Sequence, residues 1–432
     1  MSGRRQPASP RCGSPNPRAL ASGRGTRPLA RGCAPSPPAV AVRFRIVPFS
    51  SPFPLNCKQR SAARLSRVPQ NFLLELVQQR LDDFCEDKRH QLLEISSDLE
   101  PIIDYTQSLL SGGKRFRALF CFWSWAGYQP QEVTKDSITI DSPIVGVAAA
   151  LEMFHAAALV HDDLLDQSDT RRGQPAIHKR FETLHQTKSF SGSPTKFGMA
   201  GSVLTGDLML AWSSELFGQA LQEVSAEDEA NCRTQFSQMR FEVMAGQYLD
   251  VLEENAAPIR KQSEAVAIAN RVMLYKTAKY SLEAPLLIGA ALSGAAGGNL
   301  KMLSEFGIPL GLAFQLRDDV LGVFGDPEVT GKPAGDDLRE GKRTVLVALT
   351  LETLPASVAR IFNELLMGGE IDAEQLEFMR QTITDSGALE KTERLIEEHS
   401  NRAIEGLANL EISDLGRKML AALAQQVINR AH

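Results

Sequence analysis

The chain has 432 residues, 43% of them hydrophobic, and a formal net charge of −5, enough for one large domain or two ordinary ones with a sizeable core. The first 74 residues contain no Asp or Glu, and residues 1–68 carry twelve Arg and one Lys, which leaves 34 basic against 52 acidic residues in the rest. An acidic body behind a basic leader argues against nucleic acid as a partner and suits metal–carboxylate chemistry.

Cys12, Cys33 and Cys57 lie in the leader, and Cys85, Cys121 and Cys232 are scattered through the body. None forms CxxC, so no zinc or disulfide framework is expected, and a reducing compartment is. No apolar run is read as reaching the ~18 residues of a membrane span. The longest, such as Ala284 to Leu292, have core-helix length.

Residues 1 to about 68 are rich in Arg, Pro, Ser and Gly, a composition expected to be disordered. Arg43 and Arg45 interrupt AVAVRFRIVPF, so no signal-peptide apolar region forms. The segment reads as a leader without function, with an organellar transit peptide or a basic interaction tail as the other readings. The expected location is cytoplasmic, or organellar if the leader is a transit peptide.

Residues 69–432 read as one all-α domain. Phe72, Leu73, Leu76, Val77 and Leu81 recur at helical spacing. Further helices are expected over Leu99–Leu110, Ala118–Tyr128, Pro143–Gln167, Gly198–Phe217, Glu227–Asn255, Ser263–Ala291 and Asn299–Phe324. After a Gly/Pro/Asp loop to Lys342, they resume at Thr344–Leu351, Ser357–Leu366, Ala373–Ser386, Gly387–Leu407 and Leu415–Ala431. No strand pattern of useful length and no internal repeat is found. The pattern is that of a helical bundle with ligand chemistry at its centre.

The Pro143–Gln167 helix ends in Asp162-Asp163-Leu164-Leu165-Asp166, followed by Arg171-Arg172-Gly173. Asp162 and Asp166 are i and i+4, so both carboxylates leave one helix face, about 6 Å apart along the axis. Carboxylates alone favour hard cations such as Mg²⁺, which complete their shell with water and substrate phosphate. Paired guanidiniums suit phosphate oxygens.

A second apolar helix ends the same way, in Gln315-Leu316-Arg317-Asp318-Asp319-Val320-Leu321-Gly322. Basic groups recur in GGKRFR (Lys114, Arg117), LYKTAKYS (Lys276, beside Thr277), TGKPAGDD (Lys332) and EGKRT (Lys342). Two acidic helices with a divided set of cations suggest two phosphate-bearing ligands, one bound through metal and one directly by Lys and Arg.

The set GGKRFR, HDDLLDQSDTRRG, GQYLD, KT, FQLRDD and GKPAGDDLREGKRT resembles the trans-isoprenyl diphosphate synthases (polyprenyl synthetases), in order and approximate spacing, from about Pro69 to His432. GDDLREGKRT resembles the geranylgeranyl-type enzymes of actinobacteria. The resemblance implies an all-α single large helical bundle (isoprenoid synthase fold) with a central active-site cavity. It implies a homodimer that adds isopentenyl diphosphate to an allylic diphosphate, with three Mg²⁺ ions per site. By position, Lys114, Arg117, His155 and Arg172 would bind isopentenyl diphosphate. Asp162, Asp166 and Asp318 would hold metal, with Asp163 supporting. Arg171, Lys276, Lys332 and Lys342 would meet the allylic diphosphate, and Thr277 and Gln315 would face the reacting carbon. Many members carry a third Asp where this chain has Gly322. Asp326, eight residues beyond Asp318 and about 12 Å along a helix, cannot replace it, which leaves Asp318, Asp319 and water to hold the third ion.

Phe154, Ala157 and Ala158 precede Asp162 by eight, five and four residues. One helical turn rises about 5.4 Å, close to one isoprene unit. The alanines would let a growing chain pass and Phe154 would form a floor, giving C20 geranylgeranyl diphosphate, with C15 or C25–C30 as alternatives. A di-iron carboxylate bundle is the rival enzyme class, because Glu152–His155 and Glu182–His185 read ExxH. A terpene cyclase or head-to-head synthase and a silent partner subunit are the other readings. His161 and Tyr248 read as structural.

Overall fold

A computed structural model describes residues 70–326, 335–368 and 371–429. The leader and Lys332 lie outside the described residues. The elements are helices α1 (Gln70–Ile95), α2 (Glu100–Leu110), α3 (Phe116–Gly127) and α4 (Pro143–Leu165). A hairpin follows, β1 (Thr170–Arg171) and β2 (Gln174–Pro175), then α5 (Ile177–Thr187), α6 (Pro194–Ala220), α7 (Ala226–Ala256) and α8 (Ala265–Val272). After a π-helix (Met273–Glu283) come α9 (Ala284–Leu292), α10 (Gly298–Phe324), α11 (Asp336–Arg339), α12 (Val345–Thr353), α13 (Ala356–Met367), α14 (Ala373–Asp385), α15 (Ala388–Asn409) and α16 (Asp414–Ile428). The fold is all-α.

Local chemistry accounts for many helix starts. Ser193, Ser225, Thr344 and Ser413 each accept a hydrogen bond from an N–H in the first turn of the helix that follows. Asp372 and Gln375 form a reciprocal capping box, with bonds of 2.8 and 3.0 Å. Pro143 opens α4, where its missing N–H costs nothing.

α4 is the centre of the bundle and packs most extensively on α6, while α10 lies against α15 and the π-helix. Contrary to the sequence reading, α4 is long and apolar enough to cross a membrane by length and composition. Its apolar window is 78% buried within the fold, so that apolarity is spent on the core. The helix expected over Ser263–Ala291 is three pieces, with a π-helix in the middle. Side-chain bulk sets that segment's position. A Cβ on Gly246 of α7 would lie 2.4 Å from the Lys276 nitrogen, and one on Gly311 of α10 would lie 2.5 Å from the Ala278 Cα. Two glycines thus let α7 and α10 close on the widened turn from either side.

Candidate active site

The acidic motifs stand at the ends of α4 and α10, and in each the two adjacent acids part company. Asp163 is buried and accepts from Arg171 Nε at 2.7 Å. Asp319 is buried and accepts from Gln315 Nε2 at 2.8 Å. Asp318 is exposed. Asp319, which the sequence reading paired with Asp318 on the third ion, is thus engaged by Gln315 of its own helix. Burial pushes its carboxyl well above the usual carboxylate range, towards the neutral form, despite the bond from Gln315.

Asp162 and Asp166 meet lysines from remote segments. Lys276 Nζ lies 3.2 Å from Asp162 Oδ1 and 2.5 Å from Asp250 Oδ2. Lys342 Nζ lies 3.2 Å from Asp166 Oδ2 and 2.5 Å from Glu340 Oε2. Gln247 donates to Asp162 Oδ1 at 3.0 Å. Burial alone would raise the Asp162 carboxyl, but Lys276, Lys342 and Arg171 outweigh it and hold it below the usual range. Asp166 goes the other way, raised by burial and then by Asp162, with Lys342 only partly offsetting them. Glu254 on the neighbouring turn is pushed up to about 7 by burial, Asp250 and Asp166.

The RRG sequence folds as a two-residue hairpin. Thr170 pairs with Pro175 and Arg171 with Gln174, and the turn residues Arg172 and Gly173 have φ of 54° and 72°, the pattern of a type I′ turn. The hairpin sends the two arginines to different places. Arg171 turns onto Asp163 and lies 3.8 Å from Asp162. Arg172 donates to the carbonyls of Leu109 and Gly112 at 2.8 and 2.6 Å, and its guanidinium lies 2.6 Å from where a Cβ on Gly113 would stand. The GG turn and the RRG turn are therefore fitted to one another.

Beside them is a small pocket ringed by Arg115, Glu152, His155 and Arg172. His155 Nδ1 lies 3.2 Å from the Tyr280 hydroxyl. Arg117 stacks 4.5 Å over the Tyr280 ring and donates to Ser281 Oγ at 2.7 Å. Burial first, then Arg117, Arg172 and Arg171, holds His155 well below the usual imidazole range, so the ring is neutral. Buried Arg117 Nε has no hydrogen-bond partner among the described residues. Lys114 is exposed in the turn ahead of α3, because the helix starts at Phe116 and not before it. Arg115, the α3 N-cap, adopts φ 48° and bonds Leu110 O at 2.5 Å.

On α4, Phe154 is 1% exposed. It packs edge-on against Phe236 at 6.3 Å and Tyr280 at 5.8 Å, and Phe217 stacks behind Phe236 at 4.1 Å. Ala158 lies between Phe154 and Asp162 on one i, i+4 stripe, while Ala157 is fully buried. An open groove of about 510 Å³ borders Phe154, Leu210, Phe241, Met244 and Ala245. Thr277 and Gln315 are both part-buried.

The ExxH pairs do not converge. Glu152 accepts from the Ala118 N–H at 3.2 Å, and His185 Nε2 lies 3.2 Å from Ser191 O. Among the described residues no three His, Cys, Asp or Glu side chains are gathered for one ion. The outward donors of the two motifs are carboxylate oxygens only, and ammonium groups already stand against two of them. This chemistry fits a hard divalent cation that takes the rest of its shell from phosphate and water. Gln247, Asp250, Tyr280 and Ser281 were not singled out from the sequence. GQYLD and KTAKYS contain all four, but only the fold shows which of them meet Asp162, Lys276, His155 and Arg117.

A family model described as polyprenyl synthetase matches residues 98–383. The chain is similar to a geranylgeranyl pyrophosphate synthase from Corynebacterium glutamicum, solved in complex with isoprenyl diphosphate and magnesium. The two are 36% identical, and the match covers 84% of this chain and 100% of that one at a TM-score of 0.77. It is 30% identical over 347 residues to the geranylgeranyl diphosphate synthase of Sulfolobus acidocaldarius, covering 78% of this chain and 93% of that protein. It is also 29% identical over 322 residues to the geranylfarnesyl diphosphate synthase of Aeropyrum pernix, covering 74% and 91%.

Proposed function

The chain belongs to the polyprenyl synthetase family and is a prenyltransferase; from that premise we propose that it joins isopentenyl diphosphate to allylic diphosphates with Mg²⁺ and stops at C20. The observation that carries the reading is the separation of two cationic groups. Lys276, Lys342 and Arg171 gather at the first acidic motif. Arg117 and Arg172 lie beside the GG turn, with the neutral His155 in the same group.

Asp162, Asp166 and Asp318 would hold the ions, three per site, which when bound lend positive charge to a departing diphosphate. The protein groups do the rest. Lys276, Lys342 and Arg171 lie where allylic diphosphate oxygens would exchange carboxylate partners for phosphate ones, and Lys332 joins them by motif. As the C–O bond ionises, these fixed charges oppose the negative charge that develops on the leaving group. Thr277 Oγ, the Gln315 oxygen and the Lys276 carbonyl would face the allylic cation. Arg117, Arg172 and Lys114 hold the second diphosphate, and the unpartnered Arg117 Nε suits one of its oxygens. The neutral His155 positions that substrate and does not supply a proton. The proton lost after carbon–carbon bond formation goes to the departed diphosphate. Apolar helices keep water from the cation.

Product length rests on Phe154, backed by Phe236 and Phe217, as a floor. A homodimer is supported by Met199, Val203 and Leu204 on α6 and by Phe241, Met244 and Tyr248 on α7, all exposed in the single chain and spaced for helix faces. We place the enzyme in the cytoplasm. Three of its cysteines, Cys85, Cys121 and Cys232, are free and buried.

The test is incubation of the purified chain with radiolabelled isopentenyl diphosphate, Mg²⁺ and C5, C10 or C15 starters, followed by chromatography. A dominant C20 product is expected. A dominant C15 or C25 product overturns the length assignment, and no Mg²⁺-dependent incorporation overturns the function.

A further inference from the structure

Glu152, the other half of the ExxH motif that ends in His155, has no task in the reaction proposed above. It is buried, and it lines the small pocket beside the GG turn together with Arg115, His155 and Arg172. A carboxylate in a pocket meant for a diphosphate repels it, so its place there calls for another reason.

The reason lies at the start of α3. A helix begins with backbone N–H groups that have no partner within it, and α3 does not cap its own. Its N-cap residue, Arg115, sits at φ 48° and makes no side-chain cap bond. The Arg115 guanidinium turns away instead, to Leu110 O at 2.5 Å and to Gln78 Oε1 of α1. Ala118, in the first turn, is fully buried, so its N–H must find a partner inside the protein. That N–H donates to Glu152 Oε1 at 3.2 Å. α4 thus supplies a cap that the sequence around Arg115 lacks.

The capped turn also carries Arg117, one residue before Ala118. Its guanidinium lies 4.5 Å over the Tyr280 ring and donates to Ser281 Oγ at 2.7 Å, while its buried Nε has no partner among the described residues. On α4, Glu152 and His155 are i and i+3 and share a face. One face of α4 therefore holds the histidine of this site and the cap of the helix that brings its arginine.

We infer that Glu152 is a positioning residue for isopentenyl diphosphate: it caps α3 from α4 and so fixes the turn that aims Arg117 at the diphosphate. This rests on the assignment of Arg117, His155 and Arg172 to that substrate. The cap needs an acceptor oxygen at the reach of a glutamate side chain, and it needs no charge. Charge is the rival role, because burial lowers the Arg115 and Arg172 guanidiniums and Glu152 opposes this in both. Reach and charge can be varied separately.

The experiment is steady-state kinetics of the full chain with each substrate varied in turn, and a melting temperature for every variant. Glu152→Asp keeps the charge but withdraws the oxygens by one methylene. It is expected to raise the KM for isopentenyl diphosphate about 5-fold, the size of a lost cap, with kcat and the allylic KM within about 2-fold of wild type. Glu152→Gln keeps an oxygen at full reach and is expected to hold the KM for isopentenyl diphosphate within about 2-fold of wild type. Because Glu152 acts through Arg117, Glu152→Asp/Arg117→Ala should be no worse than Arg117→Ala alone. An impaired Glu152→Gln beside a normal Glu152→Asp assigns the role to charge and overturns the inference. So does an additive double variant, or a Glu152→Asp that moves both KM values together or only the melting temperature. If Arg117→Ala itself leaves the KM for isopentenyl diphosphate unchanged, the assignment of that substrate falls, and the inference falls with it.

Discussion

Asp163 and Asp319 hold the same place in their motifs and both turn into the protein, but they meet different partners. Asp163 meets a guanidinium from the hairpin that follows its own helix. Asp319 meets an amide one turn earlier on the same helix. The first pair is charged, and its arginine also lies near Asp162. The second can be satisfied by a neutral acid. The outward acids differ too. Asp162 is held by Lys276 and Gln247, whereas Asp318 is exposed. One repeated sequence motif has become two sites of unequal burial, with side chains from other segments meeting the first.

The largest expected effect tests that inequality directly. Asp162→Asn should lower kcat by roughly 10³-fold, and Asp318→Asn by roughly 10²-fold, in steady-state incorporation of labelled isopentenyl diphosphate. Equal losses would remove the distinction between a part-buried and an exposed acid.

The inward pair gives the next contrast. Asp163→Asn leaves the part-buried Arg171 without its anion and should cost about 3 kcal/mol of unfolding free energy. Asp319→Asn replaces an acid already pushed towards neutrality by its neutral isostere and should cost about 1 kcal/mol or less. Chemical denaturation of both variants checks this, and the reverse order would show that Asp319 is ionised.

Only the first motif's helix carries the length ruler in this reading. Phe154→Ala should shift the product beyond C20 in chromatography of the labelled products; an unaltered chromatogram would sink the ruler.

The smallest effect is in pH dependence. Glu254 is raised from 4.5 in the unfolded chain to about 7 in the fold. The native state therefore binds this proton more tightly than the unfolded state. Its contribution is fully present below pH 4.5 and is lost as pH rises through 7. Glu254→Gln should match wild type near the acid end and exceed it in stability above pH 7, by about 1 kcal/mol after solvent screening. Melting temperatures across that range measure it, and a constant offset between the two proteins would count against the shift.

Much of this arrangement was legible in the residues. The apolar periodicity located most helices, and the acidic motifs, GGKR and RRG pointed to the family. The π-helix was not legible, because KTAKYS has ordinary helical composition and the widening depends on Gly246 and Gly311 from two other helices. The hairpin in RRG was missed because each strand is only two residues long. α4 was misjudged as too short in apolar length, although its alanines and valines suffice.

What the sequence determined by itself was local: the helices, the acids at their ends, and the i, i+4 relation that puts Asp162 and Asp166 on one face. Those follow from the helical period, which needs only neighbours along the chain. Tertiary structure decided which acid of each pair turns inward, which lysine answers which carboxylate, and that Glu152 of α4 caps α3. Those depend on where remote segments come to rest, and a steric or electrostatic partner cannot be read from the residue that awaits it.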